Sequence, residues 1–161
     1  MKNKHIVAHM KSAFNYAECS TAEKLKVGCV IVKDDRIISI GYNGMPSGWS
    51  NECETRSFFT EDGQQLLNQI LITKPEVLHA EENAITKLAR SNESGGGSTA
   101  FITHAPCLSC AKLLYSSGIV EVYYTHLYKN TEGLDFLNKC KINGTYGPTA
   151  EYIKVIKYAD N

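Results

Sequence analysis

The 161 residues carry 17 Lys plus Arg against 17 Asp plus Glu, with 43% apolar and 21% charged residues, the make-up of a soluble globular chain long enough to bury a core as one domain over 1–161. A formal charge of zero leaves no global attraction for a polyanion and disfavours a nucleic-acid partner. The opening Met1-Lys2-Asn3-Lys4-His5 leads into short apolar steps broken by Lys11, so the expectation is no signal core, no membrane partner and a cytoplasmic address, where six cysteines read as thiols or metal ligands before disulfides.

In chain order, Ile6, Val7, Met10, Phe14 and Ala17 recur at helical spacing and predict an amphipathic helix over His5 to Ala22. A hairpin follows: Lys26 to Lys33, an Asp34-Asp35 turn, then Arg36 to Gly41. Gly44-Met45-Pro46-Ser47-Gly48 is a loop. The stretch 51–76 has weak patterning, with Gln64 to Ile72 predicted helical and Pro75 closing it. His79 to Ala89 is predicted helical, Ser94-Gly95-Gly96-Gly97-Ser98 breaks it, and Thr99 to Thr103 is a short strand. Cys107 to Ser117 reads as a helix stopped by Gly118, and Ile119 to Tyr124 as a strand. The second half thus implies parallel strands joined by crossover helices, an α/β fold. Leu134 to Lys139 is a short helix, while Glu151 to Tyr158 fits helix and strand templates equally.

The chemistry concentrates at two helix starts, His79-Ala80-Glu81 and Pro106-Cys107-Leu108-Ser109-Cys110. A catalytic zinc takes three protein ligands and keeps one position open, and one imidazole with two thiolates supplies that set: His79, Cys107 and Cys110. Thiolates are favoured in a first helical turn, where free amides and the helix dipole face them, and Pro106 loses nothing there by lacking an N–H. His79 and Glu81 lie roughly 200° apart around a helix axis, so they must reach past the helix end. Glu81 is then the group expected to move protons, beside a metal that lowers the pKa of water to about 7.

These paired motifs resemble the H-x-E and P-C-x-x-C signature of the zinc nucleobase deaminases. With Lys26 to Val32 and Gly41-Tyr42-Asn43-Gly44-Met45-Pro46-Ser47-Gly48, the chain resembles more narrowly the deoxycytidylate deaminase family, from about Cys19 to Tyr128. The resemblance implies a three-layer cytidine-deaminase-like fold with a central mixed five-stranded sheet flanked by helices. It implies deamination of dCMP to dUMP, a homohexamer, activation by dCTP and inhibition by dTTP. A regulatory triphosphate with Mg2+ would be bound at Gly41, Tyr42, Asn43 and Gly44. Substrate contacts carry over to Asn43, Ala80, Thr103, Ala105 and Tyr128, with Tyr124 secondary; an aromatic face suits a flat pyrimidine.

Lys24 and Lys26 could meet a phosphate, but isolated lysines are usually solvated. Some relatives carry a second zinc near the positions of Cys19 and Cys53; no further histidine ligand is evident here, so these two read as thiols, and Cys29 and Cys140 as packing residues. Two rivals stay in view: a tRNA adenosine deaminase, which would need a basic approach surface, and a zinc module without catalysis, in which Glu81 merely caps its helix.

Overall fold

The computed structural model describes residues 1–60, 67–140 and 153–159. In chain order these form α1 (Asn3–Ala17), β1 (Gly28–Lys33), β2 (Arg36–Tyr42), β3 (Glu54–Thr60), β4 (Leu67–Thr73), α2 (Ala80–Ala89), β5 (Thr99–His104), α3 (Leu108–Ser116), β6 (Glu121–His126), α4 (Glu132–Lys139) and β7 (Lys154–Lys157).

A five-stranded sheet in the order β2-β1-β5-β6-β7 organises the molecule. β1 runs antiparallel to both β2 and β5, whereas β5, β6 and β7 are parallel, so the sheet is mixed, as the resemblance implied. Tight reversal between β1 and β2 falls on Asp34 and Asp35, both at positive φ (52° and 57°), the backbone that two-residue hairpin turns demand.

Successive strand residues point to opposite faces, and both faces of this sheet are covered. Cys29, Ile31, Ala100, Ile102 and Val122 join Ala84, Leu88, Leu114 and Leu137 from α2, α3 and α4. The intervening Val30, Val32, Phe101 and Tyr123 pack with Met10 and Ala13 of α1. Each residue from Cys29 to Val32 of β1 faces a helix on one side of the sheet or the other, which is why these four read as an unbroken apolar stretch.

Gly41 sets how closely α2 approaches the sheet. A Cβ there would collide with the backbone carbonyl of Ala80, and it would also come within 2.6 Å of the Ala84 nitrogen. Gly41→Ala is therefore expected to destabilise the protein by about 1–3 kcal/mol, the ordinary range for forced overpacking. Gly44→Ala, with nothing within 4 Å of its would-be Cβ, should melt like the wild type. Thermal unfolding of the two variants side by side checks this.

Three sequence expectations change. The first helix stops at Ala17 rather than Ala22, because Ser20 turns its hydroxyl onto the Asn43 carbonyl at 2.7 Å and caps its own loop through the Ala22 N–H. Leu67 to Ile72, expected helical, is strand β4, paired in register with β3, which went unpredicted; residues 64–66 lie outside the described residues. The open segment near the C-terminus is strand β7, with Val155 and Ile156 packed on opposite faces of the sheet.

Candidate active site

Two helix N-termini meet beside the end of β5. His79 is the N-cap of α2, in an extended conformation, and its backbone N–H donates to the Glu82 carboxylate at 3.4 Å. A reciprocal pair of backbone hydrogen bonds between Gly44 and Leu78, 3.1 and 2.9 Å, fixes the residue before it. Cys107 is the N-cap of α3, and its sulfur accepts from the Cys110 N–H at 3.5 Å. Side chains at both caps therefore point along the helix axes into a shared space, which regular helical positions would not allow.

His79, Cys107 and Cys110 bring one ligand atom each to within 4.8 Å of one another. Tetrahedral bonds of ~2.0 Å to nitrogen and ~2.3 Å to sulfur place an imidazole nitrogen and a thiolate about 3.5 Å apart around a common zinc. The His79 Nδ1 lies 3.5 Å from the Cys107 Sγ and 3.4 Å from the Cys110 Sγ. The donor set and its spacing fit a tetrahedral zinc with one position left for water.

Hydrogen bonds from Cys110 and then His79 hold the Cys107 thiol down to about 3. That hydrogen bond to Cys107, together with burial, pushes the Cys110 thiol up, so without a metal the two sulfurs share a proton that a cation would displace. Glu81 stands outside the three-residue group and is only 4% exposed. Burial raises its carboxyl to about 7, against the opposing pull of its own backbone N–H and of His79. A carboxyl poised near neutrality can both take and give a proton.

A cavity opens onto this cluster. Asn43, His79, Ala80, Glu81, Ala105, Cys107 and Tyr128 all line it, alongside Lys24, Leu25, Val27, Glu54, Thr73, Val77, His104 and Lys129. The Asn43 amide is tied down on both sides: its oxygen accepts from the Val27 N–H and its nitrogen donates to the Leu25 carbonyl, both at 2.8 Å. Asn43 thereby shapes the 25–27 wall, with one amide hydrogen left over. Tyr128 packs with Ala105 and Leu134.

Other expected residues fall elsewhere. Thr103 does not line the cavity; it is 1% exposed and its hydroxyl accepts from the Gly28 N–H at 3.1 Å. Tyr124, 8% exposed, packs behind the wall with Ala105. Gly41 lies under α2, and the Tyr42 ring sits 5.5 Å from the Lys87 ammonium while its carbonyl accepts from Asn83. Lys26 pairs with Glu18 away from the cavity. Cys53 is buried against Ala22 and Val77, Cys19 is exposed, and Cys29 and Cys140 belong to the main core. Sequence reasoning passed over His104, Glu54 and Lys129, which reach the cavity from three separate parts of the chain.

One imidazole, two thiolates and a neighbouring buried carboxylate, opening on a cavity, make a zinc hydrolase of the kind that removes an amine from a nucleobase. The family described as the cytidine and deoxycytidylate deaminase zinc-binding region matches residues 3–126. A deoxycytidylate deaminase of Enterobacteria phage T4 is 37% identical over 143 residues, covering 68% of this chain and 72% of that protein. The human deoxycytidylate deaminase is 34% identical over 116 residues, covering 71% and 61%. The crystal structure of dCMP deaminase from the cyanophage S-TIM5, in complex with dCMP and dUMP, superposes with a TM-score of 0.78 at 36% identity, over 98% of this chain and 99% of that one. The chain belongs to the cytidine and deoxycytidylate deaminase family, within its dCMP deaminase branch, and is a zinc-binding deaminase.

Proposed function

We propose that the protein converts dCMP and water to dUMP and ammonia, with His79, Cys107 and Cys110 as zinc ligands and Glu81 as the proton carrier. The carrying observation is the Glu81 carboxyl, 4% exposed and beside the three ligand atoms without joining them. Zinc bound there supplies Lewis acidity that activates the attacking water. Glu81 takes one proton from that water as its oxygen bonds to C4 and delivers it to N3, then carries the remaining C4 hydroxyl proton to the amino group, so that the C4–N bond breaks, ammonia leaves and C4 keeps a carbonyl oxygen. Ala80 and Ala105 leave room for a flat ring between the two helix starts, and Tyr128 offers it an aromatic face.

A nucleotide, rather than a free base, is favoured by Lys24 and Lys129, which line the same cavity from different loops. Lys24 spends one N–H on the Leu71 carbonyl at 3.1 Å and keeps others for a phosphate. Lys129→Met is expected to raise KM for dCMP roughly tenfold, the scale of one charge-assisted hydrogen bond, with kcat and the KM for deoxycytidine little changed. Steady-state kinetics on both substrates checks it, and equal losses on both would remove the phosphate role.

The reading extends to regulation by dCTP and dTTP with Mg2+ at Gly41 to Gly44, in a homohexamer. Support comes from the bond pair between Gly44 and Leu78, since a ligand that moved this loop would pull on the backbone next to His79. Among the described residues no helix is long and apolar enough to cross a membrane. The test of substrate class is ammonia release from dCMP, CMP, deoxycytidine, cytosine and a tRNA, with and without each triphosphate. The proposal requires dCMP to be preferred, dCTP to raise its turnover at low substrate, and dTTP to lower it.

A further inference from the structure

We propose that His104 is a substrate-binding residue whose Nε2–H, aimed by the buried Thr103 hydroxyl, donates a hydrogen bond to an oxygen acceptor of the bound nucleotide. The proposal rests on the deaminase reading of the cavity, and nothing in the zinc motif itself assigns this histidine a task.

β5 ends at His104, and the strand's alternation buries Thr103 while placing His104, half-buried, in the cavity wall three residues before Cys107. The Gly28 N–H donates to the Thr103 Oγ1 at 3.1 Å, and the same Oγ1 lies 3.1 Å from the His104 Nδ1. Gly28 can only donate, so the single hydroxyl proton of Thr103 is free to go elsewhere. Among the described residues the imidazole is the one acceptor bonded to that hydroxyl, and leaving a buried hydroxyl proton without a partner is unfavourable. Thr103 thus donates to Nδ1, and the ring carries its own proton on Nε2.

Burial, and then the neighbouring His126, whose ring centroid is 5.0 Å away, both lower the His104 pKa and keep the ring neutral. No described group bonds Nε2 from the protein side, so its N–H is left for whatever fills the cavity. A cytosine nucleotide offers oxygen acceptors on the base, the sugar and the phosphate, and an uncharged donor suits any of them. Thr103 acts here as a positioning residue, its hydroxyl fixing the tautomer and rotation of the ring that makes the contact.

The experiment compares His104→Leu, His104→Gln, Thr103→Val, Thr103→Ser and the double variant Thr103→Val/His104→Leu, with dCMP and with deoxycytidine. His104→Leu should lower kcat/KM for dCMP roughly five- to tenfold, the scale of one lost hydrogen bond, chiefly through KM and with zinc content unchanged. His104→Gln, which keeps an N–H donor, should recover most of the loss. Thr103→Ser should behave as wild type, and Thr103→Val should lose activity only when His104 is present. An equal loss on deoxycytidine places the acceptor on base or sugar; a loss confined to dCMP places it on the phosphate. The proposal is overturned if His104→Leu matches wild type, if His104→Gln is no better than His104→Leu, or if the Thr103→Val loss persists in the double variant. Wild-type protein that leaves dCMP intact would contradict the deaminase reading and this inference with it, whereas normal turnover by His104→Leu contradicts the inference alone.

Discussion

Glu81→Gln is expected to lower kcat on dCMP by roughly 10²–10⁴-fold, the contribution of a positioned general acid–base, while the protein still binds one zinc per chain. Gln has nearly the shape of Glu and keeps hydrogen-bonding capacity, so the 4%-exposed site should not collapse. What it lacks is a proton that can leave and return. Glu81 lies outside the ligand group of His79, Cys107 and Cys110, so metal content and activity should part company. Measured together, retained zinc with lost turnover supports the assigned role, and retained turnover refutes it. Loss of zinc along with activity would instead make Glu81 a part of the metal shell.

Cys107→Ala should reduce both zinc content and activity to background, an effect as large as the first. Removing that sulfur takes away one of three ligands and the acceptor for the Cys110 N–H at the start of α3, leaving two ligands where an open catalytic zinc needs three. Metal affinity should also depend on pH in a fixed direction. Thiolate and neutral imidazole are the binding forms, so protons compete with zinc and retention falls as pH falls. Dialysis of the loaded protein at a series of pH values, followed by metal analysis, should show zinc held at neutral and alkaline pH and released on acidification. Release that grew with rising pH would contradict a ligand set of two thiolates and an imidazole.

The metal centre was legible in the sequence because its parts are local. His79 and Cys107 each occupy a helix N-cap, and capping leaves a signature in residues a few positions apart, here reinforced by Pro106. Alternating faces of β1 and β5 were equally legible as apolar runs. The β3–β4 pair was not. Its Ile70 and Ile72 are 47% and 49% exposed, so these two mark no buried face, while Leu67, Ile70 and Leu71 happen to fall at helical spacing. Only the partner strand, paired in the register from Thr60↔Leu67 to Glu54↔Thr73, decides the outcome. The cavity wall was harder still. Lys24, Glu54, His104 and Lys129 come from four places in the chain, and each looks like an ordinary polar residue until the fold gathers them. Thr103 shows the converse: the family resemblance implied a substrate contact there, but strand alternation turns its side chain inward and hands the wall to its neighbour.

The central claim is zinc-dependent hydrolytic deamination of dCMP, and product analysis of one reaction tests it most directly. Zinc-loaded protein mixed with dCMP should form dUMP and ammonia in equal amounts, metal-stripped protein should form neither, and added zinc should restore both. Loaded protein that leaves dCMP unchanged, or stripped protein that converts it as fast, would contradict the account.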